Sequence, residues 1–186
     1  MTNSRLKNMV IAALLTAITV IIPMVFTVFP LRITVPPYTA TLASHVPIAL
    51  GMMISPAVAA VVALASGVAF FFTAGPVVGA RALTHVVYAL LGAYMLKKRY
   101  NIYFIMIITG IVHGLCEGVV VGVALTAGWT TASAEFTEAA MMILTSVGAF
   151  LHHCVDFIIA MGIYKVLKPA KVADFVNINF KRFKSE

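Results

Sequence analysis

Four apolar runs of this sequence carry side chains that hydrocarbon cannot solvate: His45 in a short run, Arg81 with His85, His113 with Glu117, and His152 with His153 and Asp156. A charged side chain at mid-bilayer costs about 2.5–3.5 kcal/mol on insertion scales, so each of these groups needs a partner or a function. Their spacing narrows the chemistry. Arg81/His85, His113/Glu117 and His152/Asp156 are each four residues apart, which sets both members on one helical face. Such a set can bind an anion through the arginine fork, exchange hydrogen bonds through neutral imidazoles, or ligate a first-row metal. Structural alternatives stand beside these. Arg81 and Glu117 can form a permanent ion pair joining two helices, His113, His152 and His153 can bond across helices, and Asp156 can be a hydrogen-bonded structural acid.

The elements that must position these groups are membrane helices. Of 186 residues, 62% are hydrophobic and 10% charged, and the mean hydropathy is +1.04, values foreign to a water-soluble domain. Set against the need for about 20 apolar residues per span, hydropathy predicts an all-α integral membrane bundle of six transmembrane helices in one domain over 1–186. The helices are expected at about 9–28, 39–54, 57–74, 77–96, 102–126 and 140–166. The second is short for a span. With Val35-Pro36-Pro37-Tyr38 before it, it reads as an irregular, partly inserted entry, tolerated only where protein or a polar cavity satisfies its backbone. The first helix ends in Pro23, Phe26 and Phe29 without a small-residue cleavage site, and is read as retained.

The net charge of +7 comes from basic residues clustered where apolar runs end, which argues for orientation and against a nucleic-acid partner. Arg5 and Lys7, Lys97, Lys98 and Arg99, and Lys165, Lys168, Lys171, Lys181, Arg182 and Lys184 all fall on one side of an even-numbered bundle. Both termini are therefore predicted to be cytoplasmic, in a multi-pass cell-membrane protein. Counting about 1.5 Å per residue from the outer ends puts Arg81 at about 6–8 Å depth, His45 and His85 at about 10–12 Å, Glu117 near 13 Å and His113 and His152 near 20 Å. Asp156, at about 25 Å by the same rise, is expected to be the least able to meet a molecule arriving from outside. Tyr38, Tyr88 and Trp129 read as interface aromatics that can also project near the cavity.

Several functions are excluded or disfavoured. No Gly-xxxx-Gly-Lys-[Ser/Thr] loop, His-Glu-x-x-His or Cys-x-x-Cys occurs, so ATP is not bound in that manner and no enzyme signature is present. Cys116 and Cys154 lie inside apolar runs and read as small packing residues. In the first helix Ala13 and Ala17 form a small-xxx-small face on which another helix backbone can approach closely. What remains is binding and passage of a small molecule, with energy supplied by partners.

The chain resembles the substrate-binding S components of energy-coupling factor (ECF) vitamin transporters. The resemblance takes in nearly the whole chain: its length, six hydrophobic segments, both ends inside, and the Ala13-xxx-Ala17 motif. The run Tyr38-Thr39-Ala40-Thr41-Leu42-Ala43-Ser44-His45-Val46-Pro47, then Ile54-Ser55-Pro56 and Arg81-Ala82-Leu83-Thr84-His85, is similar to the niacin-specific NiaX group. The resemblance implies ligand capture at the extracellular end, under the loop between helices one and two. It also implies release driven by a shared module, the transmembrane coupling protein EcfT and two ATPase subunits, docked at Ala13 and Ala17. No cofactor is then bound by this chain, and ATP is used by its partners.

Niacin, a pyridine carboxylate, needs a cation for its carboxylate, a donor for its ring nitrogen and aromatic or apolar walls. Arg81 is the candidate cation, His45 or His85 the donor, and Tyr38, Tyr88 or Trp129 the stacking surface. Glu117 orients the guanidinium, and His113 and His152 complete the predicted substrate-binding set. The competing reading is a subunit for uptake of nickel, cobalt or zinc through the histidines, Glu117 and Asp156. Arg81, a fixed positive charge in the same cavity, counts against it, and no metal site is assigned. An S component for another small vitamin is the nearer alternative, and an intramembrane enzyme the most remote.

Overall fold

Capping side chains start three of the described helices. In the computed structural model, which describes residues 3–26, 31–36, 38–132, 134–173 and 175–180, with backbone alone for Asn3 and Ser4, nine elements follow one another. They are α1 (Asn3–Val25), β1 (Arg32–Val35), β2 (Tyr38–Thr41), α2 (Val46–Met52), α3 (Pro56–Ala74), α4 (Pro76–Leu83), α5 (His85–Lys97), α6 (Ile102–Thr126) and α7 (Glu138–Leu167). Ser55 accepts from the Val58 N–H, Asn101 from Tyr103 and Phe104, and Thr137 from Ala140, which starts α3, α6 and α7. Gly75, at φ 93°, ends α3, and Pro76 opens α4.

Five helical stretches are long and apolar enough to cross a membrane: Arg5–Val25, Pro56–Ala74, Pro76–Lys97, Ile102–Thr126 and Glu138–Leu167. Their outward faces present Leu14, Val68, Leu115, Val119 and Leu151, the side chains lipid requires. The expected fourth helix is interrupted at Thr84, whose hydroxyl donates to the Arg81 carbonyl at 2.7 Å. Back-bonding of this kind competes with the regular ladder.

The second passage differs most from the sequence expectation. No helix runs over 39–54. An antiparallel hairpin pairs Arg32 with Thr41 and Val35 with Tyr38, a turn follows, and only seven residues of α2 are helical. This segment nevertheless returns the chain across the bundle. Arg5, Asn8 and Met9 share a groove with Ser55, Ala57 and Val58, and Lys7 Nζ donates to the Lys171 carbonyl. Asn101 bridges to Asn179 at that same end. Pro36 and Thr39 of the hairpin meet Gly75, Pro76 and Thr130 at the other. The basic residues Arg5, Lys7, Lys97, Lys98, Arg99, Lys165, Lys168 and Lys171 thus gather at one end, the cytoplasmic one by the positive-inside rule. Lys181, Arg182 and Lys184 lie outside the described residues.

The two helices that carry most of the polar set are also the most extensively packed pair, α6 and α7. Gly110, Gly114, Gly118 and Gly122 recur every fourth residue on α6 and face Phe150, Ser146 and Met142 of α7. Without side chains there, the helices approach to backbone contact.

Candidate functional site

Glu117, on α6, is the centre of one half of the site. Its Oε2 accepts from Arg81 Nε at 3.2 Å and Nη2 at 2.5 Å, and its Oε1 lies 3.1 Å from His85 Nε2 and 3.2 Å from His113 Nε2. The four-residue spacings explain the convergence: α4 and α5 turn Arg81 and His85 toward α6, where His113 and Glu117 share a face. Arg81 Nη2 also donates to the Thr39 carbonyl at 3.2 Å, tying β2 to α4. The guanidinium lies 5.6 Å from the Tyr38 ring centroid, within cation–π range.

Asp156, on α7, is the centre of the other half. Its carboxylate accepts from the Ala43 N–H at 2.8 Å and the His45 N–H at 2.9 Å. Ala43 sits at φ 65°, a left-handed conformation that a non-glycine residue adopts only when held. His152 Nε2 lies 3.2 Å from Asp156 Oδ2 and donates to the Thr41 carbonyl at 2.9 Å. Asp156 supplies the acceptors that the Ala43 and His45 N–H groups of the turn between β2 and α2 lack internally, and His152 adds a second donor to the Thr41 carbonyl, which is the condition for non-helical backbone at membrane depth.

A cavity lies between the two centres, lined by Tyr38, Thr39, Thr41, Ser44, His45, Phe70, Val78, Arg81, Ala82, His85, Glu117 and His152. It has about 30 Å³ for the centres of water-sized spheres, room for ordered water and less than an aromatic carboxylate fills. Tyr38, Thr39 and Thr41 of the hairpin form part of its wall. Burial pushes the Tyr38 phenol up to about 12, Glu117 raising it further and Arg81 opposing, so it is a neutral hydroxyl at any physiological pH.

The predicted site residues divide into three groups. Arg81, His85, His45, Glu117, Tyr38 and His152 line the cavity together. His113 and Tyr88 lie behind it, 1% exposed each, with ring centroids 4.8 Å apart. Trp129 is 68% exposed and does not line the cavity. It follows a turn at Gly128, φ 70°, with its N–H bonded to the Ala124 carbonyl. The stacking surface expected of Trp129 is therefore absent from this arrangement, and Tyr38 alone of the three aromatics forms part of the lining.

Asp156 is a hydrogen-bonded structural acid, one of the alternatives its sequence position leaves open, and it does not line the cavity. What differs from expectation is its partner segment: extended chain through Thr41, rising roughly 3.3 Å per residue, and the turn after it bring Ala43 and His45 to its carboxylate. Gly148 was not singled out, yet a Cβ there would lie 2.6 Å from Tyr38 Cζ, so its lack of a side chain seats that ring. Its only trace in the sequence is a glycine inside an apolar helix.

Ala13 and Ala17 are both exposed on α1, on the face opposite Ala12, Leu15 and Thr19, which are buried. An intramolecular contact therefore does not account for the pair.

Among known proteins, the niacin transporter NiaX of Lactococcus lactis subsp. cremoris strain MG1363 is 32% identical over 200 aligned positions, covering 99% of this chain and 87% of that protein. No family model matches the chain. No solved structure matches it either.

Proposed function

The chain belongs to the family of the niacin transporter NiaX, a multi-pass cell-membrane protein of transport and not of catalysis, and on that premise we propose that it is the high-affinity substrate-binding S subunit of an ECF-type importer that captures nicotinate. One observation carries this reading: a guanidinium, oriented by Glu117 and the Thr39 carbonyl, stands in the wall of a partly open cavity of mixed polar and apolar lining at the outer end of the bundle.

In this reading Arg81 pairs with the vitamin carboxylate and His45 or His85 meets the ring nitrogen. Tyr38 covers the ring from the hairpin side. Because the cavity holds space for water and not for the vitamin, the hairpin β1–β2 moves aside for entry and returns over the bound ligand. Asp156 and His152 act on the vitamin only by holding the turn through which the hairpin joins α2. Energy comes from a shared module, the coupling protein EcfT and two ATPases. The S-component resemblance and the exposure of Ala13 and Ala17 support that assignment.

Titration of nicotinate and nicotinamide into the detergent-purified protein tests the reading. Nicotinamide keeps the ring and lacks the charge that offsets desolvation of Arg81, and hydrogen bonds to charged groups contribute about 1.5–3 kcal/mol. It is expected to bind about 10- to 100-fold more weakly, at 1.4 kcal/mol per factor of ten. Equal affinities would commit Arg81 to Glu117 alone, and no heat from either ligand would reject niacin.

A further inference from the structure

His113 has both ring nitrogens without a hydrogen-bond partner although it is 1% exposed. His85 leaves Nδ1 in the same state, while His45 Nδ1 lies 3.3 Å from Asp156 Oδ2 without hydrogen-bond geometry. A buried polar atom without a partner costs about 1–3 kcal/mol, so several in contact point to something that fills the space between them. The three rings surround a common point, with centroids 4.7 Å apart for His45 and His85, 4.6 Å for His45 and His113, and 4.8 Å for His85 and His113. One ligand atom from each of these histidines and one Glu117 oxygen all lie within 4.8 Å of one another.

We propose that His45, His85, His113 and Glu117 hold a resident divalent first-row cation, such as Zn²⁺, in the inner wall of the vitamin cavity, where it forms part of the vitamin site; the second clause rests on the nicotinate reading above. The separations of 3.1 Å from His85 Nε2 to Glu117 Oε1 and 3.2 Å from His113 Nε2 to the same oxygen are close to the edge of a tetrahedron whose corners lie about 2.0 Å from a zinc ion. The His113 contact is near enough for a hydrogen bond but lacks its geometry. That is the relation of two groups sharing a third. Arg81 does not occupy the same position: it binds Oε2, while the histidines face Oε1. The carboxylate therefore stands between guanidinium and cation and interacts favourably with both.

With nicotinate bound, charge balance favours a dication over an empty cluster. Arg81 offsets one of the two buried carboxylates, Glu117 and Asp156, which leaves one formal negative charge with the imidazoles neutral, and a nicotinate anion adds a second. A divalent cation returns the buried set to neutrality. Its ligands come from the turn before α2, from α5 and from α6, so it also fastens three elements. Three of them, His45, His85 and Glu117, line the cavity, and a pyridine nitrogen is a ligand of the same class as imidazole.

The test begins without the vitamin. Chelator-stripped protein titrated with Co²⁺ is expected to take up a single equivalent and to develop the visible d–d bands of a tetrahedral nitrogen and oxygen site. His113→Asn and His85→Gln should each lose those bands, while His153→Gln keeps them, because His153 Nε2 is already engaged by Thr109 Oγ1 at 3.0 Å. Absence of the bands in the wild type overturns the site, whatever the variants do. Retention of the bands in a folded His113→Asn or His85→Gln protein overturns the ligand set. Nicotinate is then titrated into stripped and Zn²⁺-loaded protein, with binding expected to be about tenfold tighter or more in the loaded form, the effect of one added charged interaction. Equal affinity separates the cation from the vitamin site. Uptake of Co²⁺ with no nicotinate binding in either form rejects the nicotinate reading and leaves the cation site standing.

Discussion

At the scale of single residues, Arg81 carries the selectivity of the proposed site and Glu117 sets what Arg81 can do. A buried guanidinium bonded to one carboxylate oxygen and one backbone carbonyl is fixed in direction, and its planar fork matches an incoming carboxylate in a way a point charge does not. Arg81→Ala is expected to abolish nicotinate binding, and Arg81→Lys to retain only part of it, as read by calorimetric titration of each purified variant. Wild-type affinity in Arg81→Ala would assign the residue to a permanent ion pair with Glu117.

At the scale of elements, the arrangement depends on how closely α6 and α7 approach, because Glu117 rides on one and Asp156 on the other. Gly114 faces the carbonyl of Ser146, where a backbone atom and not a flexible side chain would have to yield. Gly114→Val is therefore expected to lower stability by about 1–3 kcal/mol, the usual range for overpacking. Unfolding in a denaturing detergent titration measures that loss. Gly162 has nothing within 4 Å of a built Cβ, so Gly162→Ala serves as the neutral control. The outcome to expect is a clear midpoint shift for the first variant and none for the second.

At the scale of the whole molecule, the bundle sorts its surfaces by task. The outer end holds a cavity walled in part by the hairpin, the inner end gathers basic residues, and α1 displays Ala13 and Ala17 on a face with Leu6, Val10, Leu14 and Ile18 exposed around them. Tryptophan on that face adds bulk where a partner helix would approach, and changes nothing at the cavity. Ala13→Trp and Ala17→Trp are thus expected to bind nicotinate normally as solitary proteins and to fail in cellular uptake of radiolabelled vitamin. Normal uptake with both would remove α1 from the docking surface.

Hydropathy and composition alone determine that the chain is a helical membrane bundle, because a lipid core demands long apolar helices and marks their ends with charge. They also pair Arg81 with His85, His113 with Glu117 and His152 with Asp156, since ionisable groups four residues apart in apolar runs share a helix face. Three features were decided only in three dimensions. The segment expected as a helix over 39–54 is a hairpin, a turn and seven helical residues. That turn is held by Asp156, and Trp129 is exposed and outside the cavity lining. The physical reason is common to the first two. A helix satisfies its own backbone and is legible from local pattern, whereas an irregular crossing is stable only if distant side chains satisfy it. Here the acceptor for the Ala43 N–H comes from a residue 113 positions further along the chain, a partnership that no local window of sequence contains.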